Sequence, residues 1–411
     1  MTEIYSLNTV ADLLSVSKET VRRWDNSGRL KARRKPGSNY RYYQQEDLKQ
    51  FDQLAYLFNP KQGQAERPNR DYYTIELFAG AGGMALGWES AGLKTVLLND
   101  FDKYCCQTLR HNRPDWNIIE GDVSKIEYEN IDRKVDVVTG GFPCQAFSYA
   151  GKKLGFEDTR GTLFYEFARA VKATSPKICV AENVRGLLNH NGGKTLEVMQ
   201  QVLQDIGYSV LPPRVLKAIN YRVPQKRERL FLVAIRNDLN SDDFVFPYPH
   251  HKTYSLKDAL KASELFDCDV PLSGGQTYPK RKKEILSMVP PGGYWRDLPV
   301  KIQKEYMKKS FYLGGGKTGM ARRMSWDEPS LTLTCAPAQK QTERCHPEET
   351  RPFTVREYAR IQTFPDDWTF AGSTTQQYKQ IGNAVPVNLA KAMGEEIVRF
   401  LNKSQITDGT F

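Results

Sequence analysis

No apolar run in this 411-residue chain approaches the roughly 18 residues that a membrane helix needs. The opening residues, Met-Thr-Glu-Ile-Tyr, carry neither a basic n-region nor an apolar h-region, so no secretory signal is expected. No C-x-x-C pair stands among the seven cysteines, which argues against a zinc knuckle. Cys105 and Cys106 are adjacent, and Cys345 is followed by a single His346. The odd count fits free, mostly buried thiols in a reducing cytoplasm. Internal repeats and low-complexity tracts are also missing. What is present is a surplus of positive charge: 59 Lys and Arg against 48 Asp and Glu, a net charge of +11. Between Lys18 and Arg41 stand Lys18, Arg22, Arg23, Arg29, Lys31, Arg33, Arg34, Lys35 and Arg41, opposed only by Glu19 and Asp25. Local excess of this kind is the usual footprint of a polyanionic partner.

Residues 1–58 read as a unit of their own. Thr9 with Asp12 looks like a helix start ahead of apolar Leu13 and Leu14, and Ser15-Val16-Ser17 interrupts that helix. Ser17 can cap a second helix in which Val21 and Trp24 share a buried face while Lys18 and Arg22 face outward. A basic strand after Gly28, a Pro36-Gly37 turn and Tyr40-Arg41-Tyr42-Tyr43 complete a hairpin. Two short helices and a basic hairpin resemble a winged helix-turn-helix of the MerR/excisionase kind, which implies DNA contacts from Lys18, Thr20, Arg22 and Arg23. Residues 59–71, with two prolines, a glycine and no apolar periodicity, read as a linker.

From Tyr72 onward strands and helices alternate. Tyr73–Phe78, Thr95–Leu98, Val135–Val138 and Ile178–Ala181 are short apolar strands, and each ends at a polar or glycine-rich loop. That rhythm predicts an α/β fold: a doubly wound, Rossmann-like, mostly parallel sheet with ligands at the carboxyl ends of the strands. From about residue 237 to 340 the rhythm stops, and Lys, Gly, Pro and aromatic residues predict an inserted domain.

The chemistry gathers at strand ends. Phe78-Ala79-Gly80-Ala81-Gly82-Gly83 is a strand-to-helix glycine turn that lets a ligand approach the backbone at a helix N-terminus. That turn does not end in Gly-Lys-Ser/Thr, which argues against a triphosphate. Asp100 follows the second strand, where an acidic residue typically binds ribose hydroxyls, and Phe101 beside it could stack on adenine. Gly140-Gly141-Phe142-Pro143-Cys144-Gln145 sets a thiol in a tight turn after a strand, and its thiolate form is a strong nucleophile. Glu182-Asn183-Val184 brings a carboxyl to the same edge, and Gln225-Lys226-Arg227-Glu228-Arg229 brings two guanidinium groups.

In this order, Phe-Ala-Gly-Ala-Gly-Gly, Gly-Phe-Pro-Cys-Gln, Glu-Asn-Val, Gln-Lys-Arg-Glu-Arg and Gly382-Asn383-Ala384-Val385 resemble the ordered motifs of the DNA (cytosine-5)-methyltransferases. The resemblance covers roughly residues 72–240 and 345–400. Residues 155–164 resemble the bacterial restriction-modification members in particular.

The resemblance implies methyl transfer from S-adenosylmethionine to carbon 5 of a flipped cytosine in a specific double-stranded DNA sequence. It assigns Cys144 as nucleophile and Glu182 as the partner of ring nitrogen 3, with Arg227 and Arg229 holding Glu182 and the base. Cofactor contacts would come from Phe78, Gly80, Gly82, Asp100, Phe101, Asp122, Pro143, Leu163 and Asn383. The family commonly has Trp where Phe101 stands and Glu where Asp100 stands. The insertion, residues 241–344, would be the target-recognition domain between a catalytic region of 72–240 and C-terminal motifs of 345–411. Its Leu331-Thr332-Leu333-Thr334 resembles the family's Thr-Leu signature.

Expected DNA contacts are Gln145, Ser148, Arg322, Arg323 and Thr332, with Lys340, Arg344 and the Lys280–Lys283 run also within reach of phosphates. The implied partners are duplex DNA and a cognate restriction endonuclease that need not touch the enzyme. The implied state is a monomer on DNA, in a bacterial cytoplasm and associated with the nucleoid. Two other readings stand beside this one: an RNA cytosine-5 methyltransferase, and a transcriptional regulator working through residues 1–58.

Overall fold

The computed structural model describes residues 4–14, 16–34, 37, 39–51, 54, 65–143, 162–250 and 252–408. The chain divides into two units, Met1–Glu66 with Val245–His251, and Arg67–Phe244 with Lys252–Phe411.

In the first unit, β1 (Ile4–Ser6), α1 (Leu7–Leu13), α2 (Lys18–Ser27), β2 (Arg33–Arg34) and β3 (Arg41–Gln44) follow one another. The strands form an antiparallel sheet in the order β1-β3-β2. The cap of α1 differs from the sequence expectation: Ser6, not Thr9, accepts the Thr9 N–H at 3.1 Å, so the helix starts two residues before Thr9. Ser17 caps α2 as expected, accepting the Thr20 N–H at 3.0 Å, and Gly28 closes it in the left-handed region. Val21 is fully buried, and Trp24 stacks on Phe51 with ring centroids 5.6 Å apart.

Asp25 ties the hairpin to α2, accepting from Arg41 Nε at 2.7 Å, Arg34 at 3.2 Å and the Ala32 N–H at 2.9 Å. Burial opposes ionisation of Asp25, but the Arg41 and Ala32 bonds outweigh it and hold the carboxyl below its usual range. Tyr248 packs against this unit's core and shares a 2.8 Å hydrogen bond with the Tyr5 hydroxyl. A stretch that reads as the start of the inserted domain thus belongs to the N-terminal unit.

The second unit begins with chain that reads as linker but is docked. Asn69 N–H donates to Asn402 Oδ1 at 2.9 Å, and Arg70 pairs with the fully buried Asp136. Then come β4 (Tyr73–Leu77), α3 (Gly83–Ser90), β5 (Lys94–Asp100), α4 (Lys103–Asn112), β6 (Ile118–Glu120), β7 (Val137–Gly140), α5 (Leu163–Thr174), β8 (Ile178–Val184) and α6 (Lys194–Asp205). They continue with β9 (Tyr208–Val210), β10 (Arg214–Lys217), β11 (Gln225–Lys226) and β12 (Glu228–Arg236). The main sheet runs β10-β12-β8-β7-β4-β5-β6, with β9 also paired to β12. Strands β4 to β8 are parallel to their neighbours; β12 is antiparallel to β8, β9 and β10. The central strands are apolar on both faces because both faces are covered.

On one face, Ile75, Leu77, Val138 and Ala181 pack with Phe164, Phe167 and Val171 of α5 and with Met199 and Val202 of α6. On the other, Ala85, Leu98 and Leu109 pack with Tyr358, Trp368, Tyr378 and Ile381.

The insertion has little regular structure: α7 (Leu256–Leu260), α8 (Lys280–Ser287), α9 (Val300–Met307), short 3-10 turns and β13 (Ser330–Leu331), which pairs with β11. A small core of its own includes Tyr278, Leu286, Trp295, Met307, Ala321 and Cys345. The chain then returns to the main core through α10 (Val355–Ile361), α11 (Thr374–Asn383) and α12 (Val387–Asp408). Among the described residues no helix is long and apolar enough to cross a membrane.

Candidate active site

The strand order reverses at β4, with β5 and β6 on one side and β7 and β8 on the other, and such a switch point opens a crevice at the carboxyl ends. A cleft of about 590 Å³ lies there. Phe78, Gly80, Asp100, Phe101, Asp122, Pro143, Leu163, Glu182, Arg227, Arg229 and Asn383, drawn from eight separate stretches of sequence, all line it.

The turn after β4 is strained at Phe78, whose φ of 60° is rare for an aromatic residue, while its ring meets Phe142 edge-on at 6.1 Å. This turn aims the Gly80 N–H at Asp100 Oδ2, 2.8 Å away, and Asp102 N–H donates to Oδ1 at 2.8 Å. Burial raises the Asp100 pKa against those two bonds. Phe101 leaves four-fifths of its surface exposed, which gives the cleft a free aromatic face. Asp122 is exposed and accepts the Ser124 N–H at 2.9 Å, a bond that lowers its pKa. The exposed Asn383 side chain accepts from Cys335 Sγ at 3.0 Å.

Gly82 departs from the expectation, since it is not among the residues lining the cleft. Its φ is +84°, and a Cβ there would fall 2.7 Å from Leu109 and 3.1 Å from Trp368. Glycine is required at this position by packing behind the loop.

On the opposite wall Glu182, at the end of β8, lies 2.7 Å from Arg229 Nε of the antiparallel β12. The pair makes no aligned hydrogen bond, so it is a charge contact and leaves Glu182 Oε1 without an aligned donor among the described residues. Burial raises the Glu182 pKa, and the Arg229 and Arg227 charges offset this only in part. Arg227 has a different task from the one expected. It donates to the carbonyls of Leu333 at 3.1 Å and Gly382 at 2.8 Å, clasping the Thr-Leu loop to the Gly-Asn-Ala-Val turn. Gly382 is bare because a Cβ would lie 2.6 Å from the Thr334 carbonyl.

Cys144, Gln145 and Ser148 lie outside the described residues. The chain leading to Cys144 is described. Asn183 Nδ2 holds the Phe142 carbonyl at 2.8 Å, and a Cβ on Gly141 would stand 3.1 Å from Glu182 Oε2.

Three contributors escaped the sequence reading. Asn183 stands out in the sequence only as part of the Glu-Asn-Val motif. Lys379 lines the cleft and pairs with Asp102 at 2.8 Å. Glu76, 1% exposed in β4, also lines the cleft, and its Oε2 has no hydrogen-bond partner among the described residues. An acidic residue inside an apolar strand was the available signal.

Several expected DNA contacts are redirected. Arg323 is buried and donates to the His346 carbonyl at 3.1 Å, the Leu286 carbonyl at 2.8 Å and Thr350 at 2.8 Å. In a segment with few ladders, one guanidinium supplies donors that stray carbonyls lack. Thr332 spends its hydroxyl on the Lys226 carbonyl at 2.6 Å, and the buried Arg344 donates to the Thr332 carbonyl. In the Lys280–Lys283 run, Arg281 pairs with Glu305 and Lys282 with the buried Glu343. Arg322 remains half-exposed. In the N-terminal unit Lys18, Arg22 and Arg23 are exposed, Arg22 pairs with Glu19 at 3.1 Å, and Thr20 shares a hydrogen bond with Ser17.

Residues 72–399 match the family model of the C-5 cytosine-specific DNA methylases, and residues 5–63 match that of the MerR HTH family regulatory proteins. The Type II methyltransferase M.Eco47II of Escherichia coli is 66% identical over 403 residues, 98% of this chain and 97% of its own length. M.PspPI of a Psychrobacter strain is 59% identical over 97% of this chain and 96% of its own length. In fold, the crystal structure of a prophage-encoded DNA modification methyltransferase of E. coli superposes with a TM-score of 0.58 at 22% identity, covering 81% of this chain and 100% of that one.

Proposed function

The chain belongs to the C-5 cytosine-specific DNA methylases, enzymes that methylate carbon 5 of cytosine in DNA, and we propose that it does so by covalent catalysis from Cys144 on a base flipped into the cleft beside Glu182. Carbon 5 of cytosine is a weak nucleophile. Bonding of Cys144 Sγ to carbon 6, with a proton passed from Glu182 to ring nitrogen 3, turns the carbon 5–carbon 6 double bond into an enamine. Carbon 5 then takes the methyl group and gives up its own proton to solvent water, and the Sγ–carbon 6 bond breaks, releasing the Cys144 thiolate, as nitrogen 3 returns its proton to Glu182. The observation that carries this reading is the buried Glu182. Its raised pKa, and an Oε1 without an aligned donor among the described residues, suit a carboxyl that must hold and release a proton. Arg229 keeps it in place. Taking the base out of the stack costs on the order of a few kcal/mol, recovered in contacts to the opened duplex.

The methyl donor in this reading is S-adenosylmethionine, whose sulfonium supplies an electrophilic methyl group when bound. The residues fit it. Asp100 keeps lone pairs for ribose hydroxyls, Phe101 offers a stacking face, and Asp122 in the cleft lining would accept from the adenine amino group. The insertion reads the target sequence, with the half-buried Arg322 as a basic contact. The biological setting is a restriction-modification system whose endonuclease cuts the same sequence when unmethylated, in a bacterial cytoplasm, with the methylase acting as a monomer on DNA.

The experiment is trapping on duplex DNA bearing 5-fluorocytosine, where fluorine blocks the final elimination. Wild-type protein forms a denaturation-resistant adduct and Cys144→Ala forms none. An adduct with Cys144→Ala, or methylation by it, refutes the nucleophile.

A second reading, a separate DNA contact by the N-terminal unit, is favoured by the exposed Lys18 and Arg23 on α2 beside a basic hairpin. It predicts that Lys18→Ala lowers the salt dependence of DNA binding by about one counterion, measured by titration at several salt concentrations. An unchanged slope excludes Lys18 from that contact.

A further inference from the structure

Among the described residues of the insertion, Glu343 is the one buried carboxyl, and it is fully buried. The Lys282 ammonium meets one of its oxygens; the other accepts from the Tyr306 hydroxyl and from the Ala321 N–H, the latter at 2.8 Å. A buried ion pair adds little stability by itself, because drying both charges offsets their attraction. The third partner gives the carboxyl another task. Ala321 sits at φ +46°, a left-handed conformation that costs any residue with a Cβ and persists only where its surroundings over-determine it.

Glu343 is one such constraint, and others follow along the same stretch. Its own N–H donates to the Gly319 carbonyl at 2.9 Å, and the Cys345 N–H donates to the Arg322 carbonyl at 3.0 Å. Gly319 has no room for a Cβ, which would stand 2.4 Å from the Gln341 carbonyl oxygen. Arg323 is anchored by its side chain to the Leu286 carbonyl and Thr350. Arg322 thus lies between two fixed residues, yet no salt bridge, hydrogen bond or ring contact holds its guanidinium among the described residues. Its Nε is buried without a partner, and Arg344 nearby adds like charge. A guanidinium that is positioned and left unpaired suits a planar two-atom acceptor from outside the chain. In duplex DNA that acceptor is the N7–O6 edge of guanine or a pair of phosphate oxygens.

We propose that Glu343 is a positioning residue for DNA recognition: by fixing the left-handed turn at Ala321, it holds the Arg322 guanidinium ready for a two-atom acceptor on the duplex. The assignment rests on the insertion being the part that reads DNA. Fixing the turn beforehand spares the entropy of ordering it on the duplex.

The test is a double-mutant cycle on the full-length protein, read as the Kd for a duplex that it methylates. Arg322→Ala weakens binding roughly tenfold or more. Glu343→Leu, which takes the acceptor from Ala321, weakens it to a similar degree, and the double variant binds no worse than Arg322→Ala. Glu343→Gln, whose amide oxygen still accepts the Ala321 N–H, stays within about threefold of wild type. Should Glu343→Leu fail to fold, Tyr306→Phe carries the cycle: freeing the carboxyl of one hydrogen bond costs about threefold, and nothing in the Arg322→Ala background. Losses that add in the double variant, or a Glu343→Gln loss equal to that of Glu343→Leu, would make Glu343 a packing residue and overturn the assignment alone. An Arg322→Ala protein that binds like wild type overturns the DNA-contact reading beneath it. Replacing every guanine by 7-deazaguanine separates the two acceptors. A guanine edge makes Arg322→Ala inconsequential on that duplex, whereas a phosphate leaves its loss unchanged and lowers the salt slope by about one.

Discussion

The two walls of the cleft handle buried charge in opposite ways. On the β8–β12 wall the carboxyl of Glu182 is met by Arg229. On the β4–β5 wall, among the described residues, no cation forms a salt bridge with Glu76 or Asp100; backbone N–H groups answer Asp100, and the Lys379 charge that also acts on it is paired to Asp102. The difference follows strand direction. An antiparallel β12 returns along β8 and lays Arg229 directly opposite Val184, next to Glu182, whereas the parallel β4 and β5 bring only their own C-terminal turns. A wall with its own counter-charge suits a neutral base that must briefly accept a proton. A wall lacking one suits a ligand that arrives positively charged.

The largest effect expected from this division is on chemistry. Glu182→Gln should slow methyl transfer by about 10² to 10⁴, the usual yield of a positioned acid, while S-adenosylhomocysteine affinity by calorimetry stays within about twofold. A parallel loss of affinity would merge the two walls. Next comes stability. Arg229→Leu leaves a buried carboxyl without its partner and should cost about 3–5 kcal/mol in urea unfolding, more than Glu182→Gln does. A cost near zero would mean that the pair is not buried in solution.

Asp100→Ala should weaken cofactor binding by about tenfold or more, whereas Asp102→Ala, already engaged with Lys379 and the start of α4, should change it far less. Equal losses would identify the wrong carboxylate. The smallest effect is a pH slope. Because the folded pKa of Glu76 is raised, its contribution to stability is complete below the unfolded value and is lost as pH rises toward the folded one. Wild-type protein should thus lose stability relative to Glu76→Gln by up to about 1.4 kcal/mol per pH unit above the ordinary carboxylate range. Parallel denaturation midpoints from pH 5 to 9 would remove Glu76 from the comparison.

Much of this was legible in sequence because it is local. Strands β4, β5, β7 and β8 each announce themselves by a few apolar residues ending in a polar turn, and the strand ends carried the motif residues that meet in the cleft. What escaped depends on distant partners. Gly82 reads as a ligand glycine until Leu109 and Trp368 are seen behind it. Arg323 and Thr332 read as DNA contacts until unpaired carbonyls from elsewhere in the chain claim them. The antiparallel β12 could not be told from a parallel strand by composition, so the Glu182–Arg229 pair appeared only as two residues in one region. The Ser6 cap was missed for a smaller reason: Ser6 and Thr9 are both good caps, and β1 decides between them.

The Tyr5–Tyr248 hydrogen bond also sets a schedule. A ribosome releases the helices and hairpin of the first unit early, but the segment that shares its core follows only after the whole main sheet has been made. At roughly 5–20 residues per second that interval is on the order of ten seconds or more, during which Tyr5 has no Tyr248 to meet. Nascent chains halted before residue 245 should therefore be cut within the first unit by protease more readily than chains halted after residue 251. Equal resistance would show that the unit closes without its late segment.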